Sequence, residues 1–169
     1  MIGEAIIYSD GGCINNPGPG AYGVVLETKT NSQTESMELM QAYQTTTNNR
    51  MELMGVIIGL KKVKDNKVVD VYTDSRYVVD AINKEWVFQW EKKEFKNRTN
   101  ADLWRRLLKV YRQLHQVKFH WVKSHDANPR NERCHQLATL AIKKKNKIRD
   151  TGYEKRIKKC KGIMLSVIL

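Results

Sequence analysis

The chain lacks what a stapled or zinc-bound scaffold needs. It has three cysteines in 169 residues, Cys13, Cys134 and Cys160, an odd set without zinc-ligand spacing. Free thiols in a reducing compartment follow, and a cytoplasmic protein is expected. Long apolar runs are missing as well. The one stretch of membrane character, Gly162 to Leu169, has eight residues, against about 20 needed to span a bilayer. Glu4, Ser9 and Asp10 interrupt the first apolar stretch, so no signal peptide is expected. No internal repeat is visible. Negative charge is in deficit, with 18 acidic residues against 30 basic ones, a net charge of +12 and a pI near 9.7. Such a balance implies a polyanionic partner, with nucleic acid ahead of an anionic lipid surface. The excess is uneven. Lys143 to Lys161 holds ten basic and two acidic residues, which leaves the body only mildly basic.

What is present suits one domain with a real core, at 41% apolar and 28% charged residues. Strands are expected over Glu4–Asp10, Gly20–Thr28 and Ser36–Gln44, joined by short turns into an antiparallel meander. Gly11-Gly12 and Pro17-Gly18-Pro19-Gly20 mark the first loop. A helix is expected over Asn48–Lys64, capped by Asn48 or Asn49. Val68–Thr73 is nearly all apolar or β-branched and reads as a strand buried on both faces. Ser75 caps a second helix running to about Asn83. Ala101–Leu114 reads as a helix, Val117–Val122 as a strand and Arg130 to about Lys147 as a helix after Pro129. The order βββαβααβα implies an α/β fold, a mixed five-stranded sheet with helices against it. Residues 1–147 would form the catalytic domain. Residues 148–169 would be a basic tail ending in a short apolar segment, which either docks on the domain, adds an edge strand or meets another protein.

Two of these strands end in a carboxylate. Asp10 closes the first and Asp74 follows the buried one. Such a placement is costly unless the acid is paired or metal-bound. Adjacent parallel strands would set the two side by side, and Glu52, in the first turns of its helix, can reach the same point. Taken singly, each acid would pass for a surface residue or a cap. Together they repel one another until a cation neutralises them. Magnesium suits such an oxygen site. Two ions about 3.5–4 Å apart would activate water and stabilise a leaving oxygen.

Five segments carry a joint pattern: Tyr8-Ser9-Asp10-Gly11-Gly12, Asn15 to Gly20, Thr47 to Leu53, Tyr72 to Val78, and Trp121 to His125 with Asn131-Glu132-Arg133-Cys134. In this order they resemble type 1 ribonuclease H over roughly residues 4–145. The resemblance implies the RNase H-like fold and metal-dependent endonucleolytic cleavage of the RNA strand of RNA–DNA hybrids. It implies 5′-phosphate and 3′-hydroxyl ends, and a role in removing RNA primers and R-loops. By position, Asp10, Glu52 and Asp74 match metal-binding acids and His125 matches a mobile-loop histidine. The family's fourth acid is here His135. Magnesium prefers oxygen ligands, whereas manganese accepts nitrogen more readily. His135 then serves as a ligand or water-positioning group, or the protein favours manganese, or activity is reduced or lost. Retained activity is the favoured reading. The alternatives are a weakened hybrid-binding module and a reverse-transcriptase or integrase-like nuclease.

The resemblance also implies how a hybrid is held. Gly11, Gly12 and Cys13 would let backbone approach the RNA. Asn16, Asn48 and Arg76 occupy hybrid-contacting positions, Arg76 being suited to phosphate where glutamine is more typical. Thr47 with Asn16 fits a phosphate pocket on the DNA strand. Lys84–Arg98 corresponds to a basic protrusion in which Trp86, Trp90, Lys92 and Lys93 would meet sugars and phosphates, although Trp86 and Trp90 also suit inward packing. The basic tail would add salt-sensitive affinity. A monomer bound to no membrane is expected.

Overall fold

The computed structural model describes residues 3–29, 33–63, 67–124 and 128–167. Strands β1 (Gly3–Cys13), β2 (Gly18–Lys29) and β3 (Thr34–Thr46) form the expected meander, each longer than its apolar pattern suggested. Helix α1 spans Asn48–Lys62 and strand β4 spans Lys67–Thr73. Helices α2 (Arg76–Asn83), α3 (Trp86–Lys92) and α4 (Ala101–Tyr111) lead to β5, Gln116–Trp121. Helices α5 (Pro129–Lys143) and α6 (Thr151–Val167) complete the order. The sheet runs β3-β2-β1-β4-β5, with β1 antiparallel to β2 and parallel to β4, and β4 parallel to β5.

The two faces of the sheet are covered by different helices. Ile7, Val24, Val69 and Val71 lie in one core with Met51, Leu53, Val56, Ile57 and Leu60 of α1 and Leu103, Trp104, Leu107 and Leu108 of α4. Each such fully buried aliphatic side chain contributes about 1.5–3 kcal/mol. On the opposite face α5 packs across β1, β2 and β3. There Cys134 and Leu137 meet Val25, and Ala138 and Ala141 meet Ala21 and Ala42. Farther along that face, Tyr8, Tyr72 and His120 stack in register across β1, β4 and β5, with ring centroids 5.1 and 4.6 Å apart.

Three features differ from the sequence reading. The aromatic and charged stretch after Asn83 contains a helix of its own, α3. Thr47, not Asn48 or Asn49, is the N-cap of α1, and its side chain makes no capping bond. The Asn48 N–H instead donates to Asn16 Oδ1 across the first loop, at 3.2 Å. The segment after Lys147 is also tied to the body. Ile148 bridges Tyr43, and Gln44 N–H donates to the Ile148 carbonyl at 2.9 Å. Val167 ends a helix, where an apolar tail segment had been considered as an edge strand.

Asp150 explains that attachment. Arg50, 1% exposed, donates Nε to Asp150 Oδ2 at 2.7 Å and Nη2 to Oδ1 at 2.8 Å. Its other edge meets Asp102 of α4, at 2.9 and 2.8 Å. Asp150 also accepts from Thr46 Oγ1 at 2.7 Å and Tyr153 N–H at 3.1 Å. Burial opposes the Arg50 charge, but the two carboxylates outweigh it and raise its pKa. Removing one partner of a buried pair strands the other charge, at about 3–5 kcal/mol. Asp150→Ala should therefore cost that much in urea unfolding. Asp102→Ala, at a carboxylate 44% exposed, should cost only about 1 kcal/mol. The reverse order would show that Asp102 is the main anchor.

Candidate metal and nucleic-acid site

The parallel register of β1 and β4 pairs Ser9 with Thr73, which brings Asp10 and Asp74 together at the ends of the two strands. Helix α1 brings the third acid. A Cβ on Gly11 would lie 2.4 Å from the Glu52 nitrogen, so only glycine lets β1 and the first turns of α1 approach this closely. One oxygen from each of Asp10, Glu52 and Asp74 then lies within 4.8 Å of the others. They line a cavity of about 400 Å³ with Gly11, Cys13, Ser124, Asn131 and His135.

The charges strain this arrangement. Burial, then the Asp74 charge, raises the Asp10 carboxyl above its ordinary pKa, against the lowering effect of His135. Burial, then the charges of Asp10 and Asp74, holds Glu52 well above its ordinary value, against a bond from Gly11 N–H. Glu52 Oε2 and Asp74 Oδ1 are buried without a hydrogen-bond partner. Buried carboxylate oxygens left unpaired are costly. Three such acids with inward oxygens form a hard donor set, which fits a divalent cation such as magnesium.

His135 arrives from the other face of the sheet. Gly23, the β2 partner of Asp10, lets α5 settle directly on the strand, since a Cβ there would lie 2.0 Å from the Cys134 carbonyl oxygen. Asn128 caps α5 by accepting from the N–H groups of Arg130 and Asn131, and Pro129 stands in its first turn. His135 Nδ1 consequently sits 3.0 Å from Asp10 Oδ2. His125 lies outside the described residues.

Asp74 has partners that sequence reasoning missed. Ser124 Oγ donates to Asp74 Oδ2, and Trp121 Nε1 donates to the Asp74 carbonyl at 3.0 Å. Ser124 entered the sequence pattern only as a neighbour of His125. Its position two residues beyond the expected end of β5 was a usable signal, because β5 runs beside β4.

The other expected contact residues divide. Asn16 spends its amide oxygen on α1, beside Thr47 and an exposed Asn48. The half-buried Cys13 thiol turns inward to the carbonyls of Gly18 and Thr46, at 3.2 and 3.3 Å. Trp90 packs edge-on against Trp104 with centroids 5.6 Å apart, whereas Trp86 is 43% exposed. Lys92 and Lys93 are exposed around a hollow with Trp90, Lys96 and Arg98. Arg76 lies over the Trp121 ring, its Cζ 3.8 Å from the centroid. Among the described residues, no helix is long and apolar enough to cross a membrane.

Known proteins give this geometry its context. A family profile described as RNase H matches residues 3–143. A ribonuclease H of Trichodesmium erythraeum is 44% identical over 156 residues, 89% of this chain and 96% of that protein. One of Desulforamulus reducens is 48% identical over 150 residues, 85% of this chain and 90% of that protein. A crystal structure of a type 1 RNase H with the type 2 active-site motif is similar at TM-score 0.74 and 28% identity, covering 84% of this chain and 73% of that one. With its strand order, its acids at the ends of β1 and β4 and this extent of matching, the chain belongs to the ribonuclease H family.

Proposed function

We propose that the protein hydrolyses the RNA strand of RNA–DNA hybrids at the Asp10–Glu52–Asp74 cluster. Water would add to phosphorus, the P–O3′ bond would break and O3′ would take up a proton, leaving 5′-phosphate and 3′-hydroxyl ends. The observation that carries this reading is the convergence of three carboxylate oxygens within 4.8 Å, two of the acids having buried oxygens without partners. Asp10, Glu52 and Asp74 would hold divalent metal, joined by His135, and His125 would assist proton movement or product release. Divalent metal, two ions per site with substrate, supplies water activation and stabilisation of the leaving oxygen. Magnesium is the expected ion, with manganese the alternative because of the imidazole. Gly11, Cys13, Asn16, Thr47, Asn48 and Arg76 would meet the hybrid near the cut. Trp86, Trp90, Lys92 and Lys93 would meet it farther along. A monomer acting in the cytoplasm on RNA primers and R-loops completes the reading. His135 supports a second reading, a hybrid-binding module with weakened catalysis.

On a labelled hybrid with magnesium or manganese, Asp10→Asn should reduce cutting by roughly 10²–10³-fold. Cutting that survives the change rules out this site. Magnesium should support cutting, and His135→Asp should lower the magnesium concentration needed relative to manganese. A wild-type protein that binds hybrid but cuts in neither metal, with cutting restored by His135→Asp, favours the second reading.

The raised Glu52 pKa has a thermodynamic counterpart. A folded acid with a raised pKa binds protons more tightly than the unfolded chain does, so its stabilising effect is full below the unfolded value near 4.3 and is lost as pH rises through the folded one. In metal-free protein, Glu52→Gln should leave the melting temperature unchanged near pH 4. At pH 8 it should raise it. Magnesium should raise the wild-type melting temperature in a concentration-dependent way at pH 8 and leave the variant nearly unmoved. Equal pH profiles for the two proteins would refute the strain.

A further inference from the structure

The carboxylate cluster leaves one feature beside it unused. Trp121, the last residue of β5, is 39% exposed. Its indole N–H is bound to the Asp74 carbonyl at 3.0 Å, and the next residue, Val122, donates N–H to the Thr73 carbonyl at 3.1 Å. The ring is thus tied to the Asp74 backbone, and the chain that carries it to Thr73. Arg76 lies over that ring at 3.8 Å and is itself exposed. Its guanidinium takes part in no ion pair or hydrogen bond with any described residue.

That placement is informative. An arginine two residues after Asp74 has a crowded carboxylate cluster within its sequence neighbourhood. A charge-assisted bond to a carboxylate would ordinarily be the stronger contact. The indole takes one face of the guanidinium instead, worth about as much as an exposed cation–π pair, and leaves its N–H donors unspent. A planar group held by one face presents a fork of donors that matches phosphate. A backbone phosphate also brings a full negative charge, which makes its hydrogen bonds to the guanidinium stronger than those of a neutral base edge.

We propose that Trp121 is a positioning residue, which holds Arg76 as a clamp on a backbone phosphate of the strand to be cut and ties that clamp to the backbone of Asp74. The inference rests on the hybrid being the substrate. Stacking restricts the guanidinium before the substrate arrives, so less rotamer freedom is lost on binding. The bond to the Asp74 carbonyl makes clamp and acid move as one body, which registers the strand against the cavity.

The test is hybrid binding without divalent metal, at several salt concentrations and on two unrelated sequences. Arg76→Ala should weaken binding roughly tenfold at low salt. It should also make the salt dependence shallower by about one phosphate contact, equally on both sequences. Trp121→Leu should reproduce most of that loss, and Trp121→Phe, which keeps a ring face, should stay near wild type. The double variant, Arg76→Ala with Trp121→Leu, should bind no more weakly than Arg76→Ala alone. A wild-type salt slope in Arg76→Ala or in Trp121→Leu overturns the proposal. So does a loss that depends on base sequence, or a Trp121→Phe protein that loses the contact. Wild-type protein that binds no hybrid at all overturns the functional reading beneath it.

Discussion

Three carboxylates held with their oxygens inside 4.8 Å is a cost that the rest of the fold has to carry. Each charge raises the free energy of the other two, and burial sharpens the repulsion by removing water. Left to themselves, the strand ends and the helix would move apart. The sheet and α1 prevent this by packing. The register of β1 on β4 sets two of the acids, and the Gly11 contact sets the third. A cation bound there would relieve that repulsion, and the apolar core under α1 is what keeps the acids together in its absence.

Packing on the second face has a different task. Helix α5 brings His135 to Asp10 and Glu132 to the lining of the same cavity, and it comes close because Gly23 faces its backbone. Ion pairs of Arg130 with Glu27 and Arg133 with Glu38, at 2.5 and 2.7 Å, hold the helix along β2 and β3. A neutral or cationic ring beside Asp10 in place of a fourth carboxylate means that the cluster carries one repulsive partner fewer.

Much of this was legible in the residues. The meander, β4, the order of the main elements and the meeting of Asp10, Glu52 and Asp74 follow from period-two patterns, turn residues and acids at strand ends. Helix α3 was not legible because it is short and mixes four apolar residues with charge, without a clear periodic face. The Arg50 centre was hidden for another reason: its partners lie 52 and 100 residues away, and no local pattern marks a charge as buried. Ser124 and Trp121 escaped notice because their roles depend on β5 lying beside β4, a tertiary fact that strand propensity does not contain.

The Arg50–Asp150 contact also orders events in time. Arg50 is made a hundred residues before the carboxylate that neutralises it. During synthesis α1 can form and meet the strands, and Asp102 can take one edge of the guanidinium, but the other edge has no carboxylate until residue 150 has emerged. Closures between residues so far apart come late. Glu52 stands two residues after Arg50, so the helix turn that carries the third acid gains its last buried anchor only with residue 150. A chain still growing toward residue 150 already holds all five strands and the three acids, before α1 has its last buried anchor.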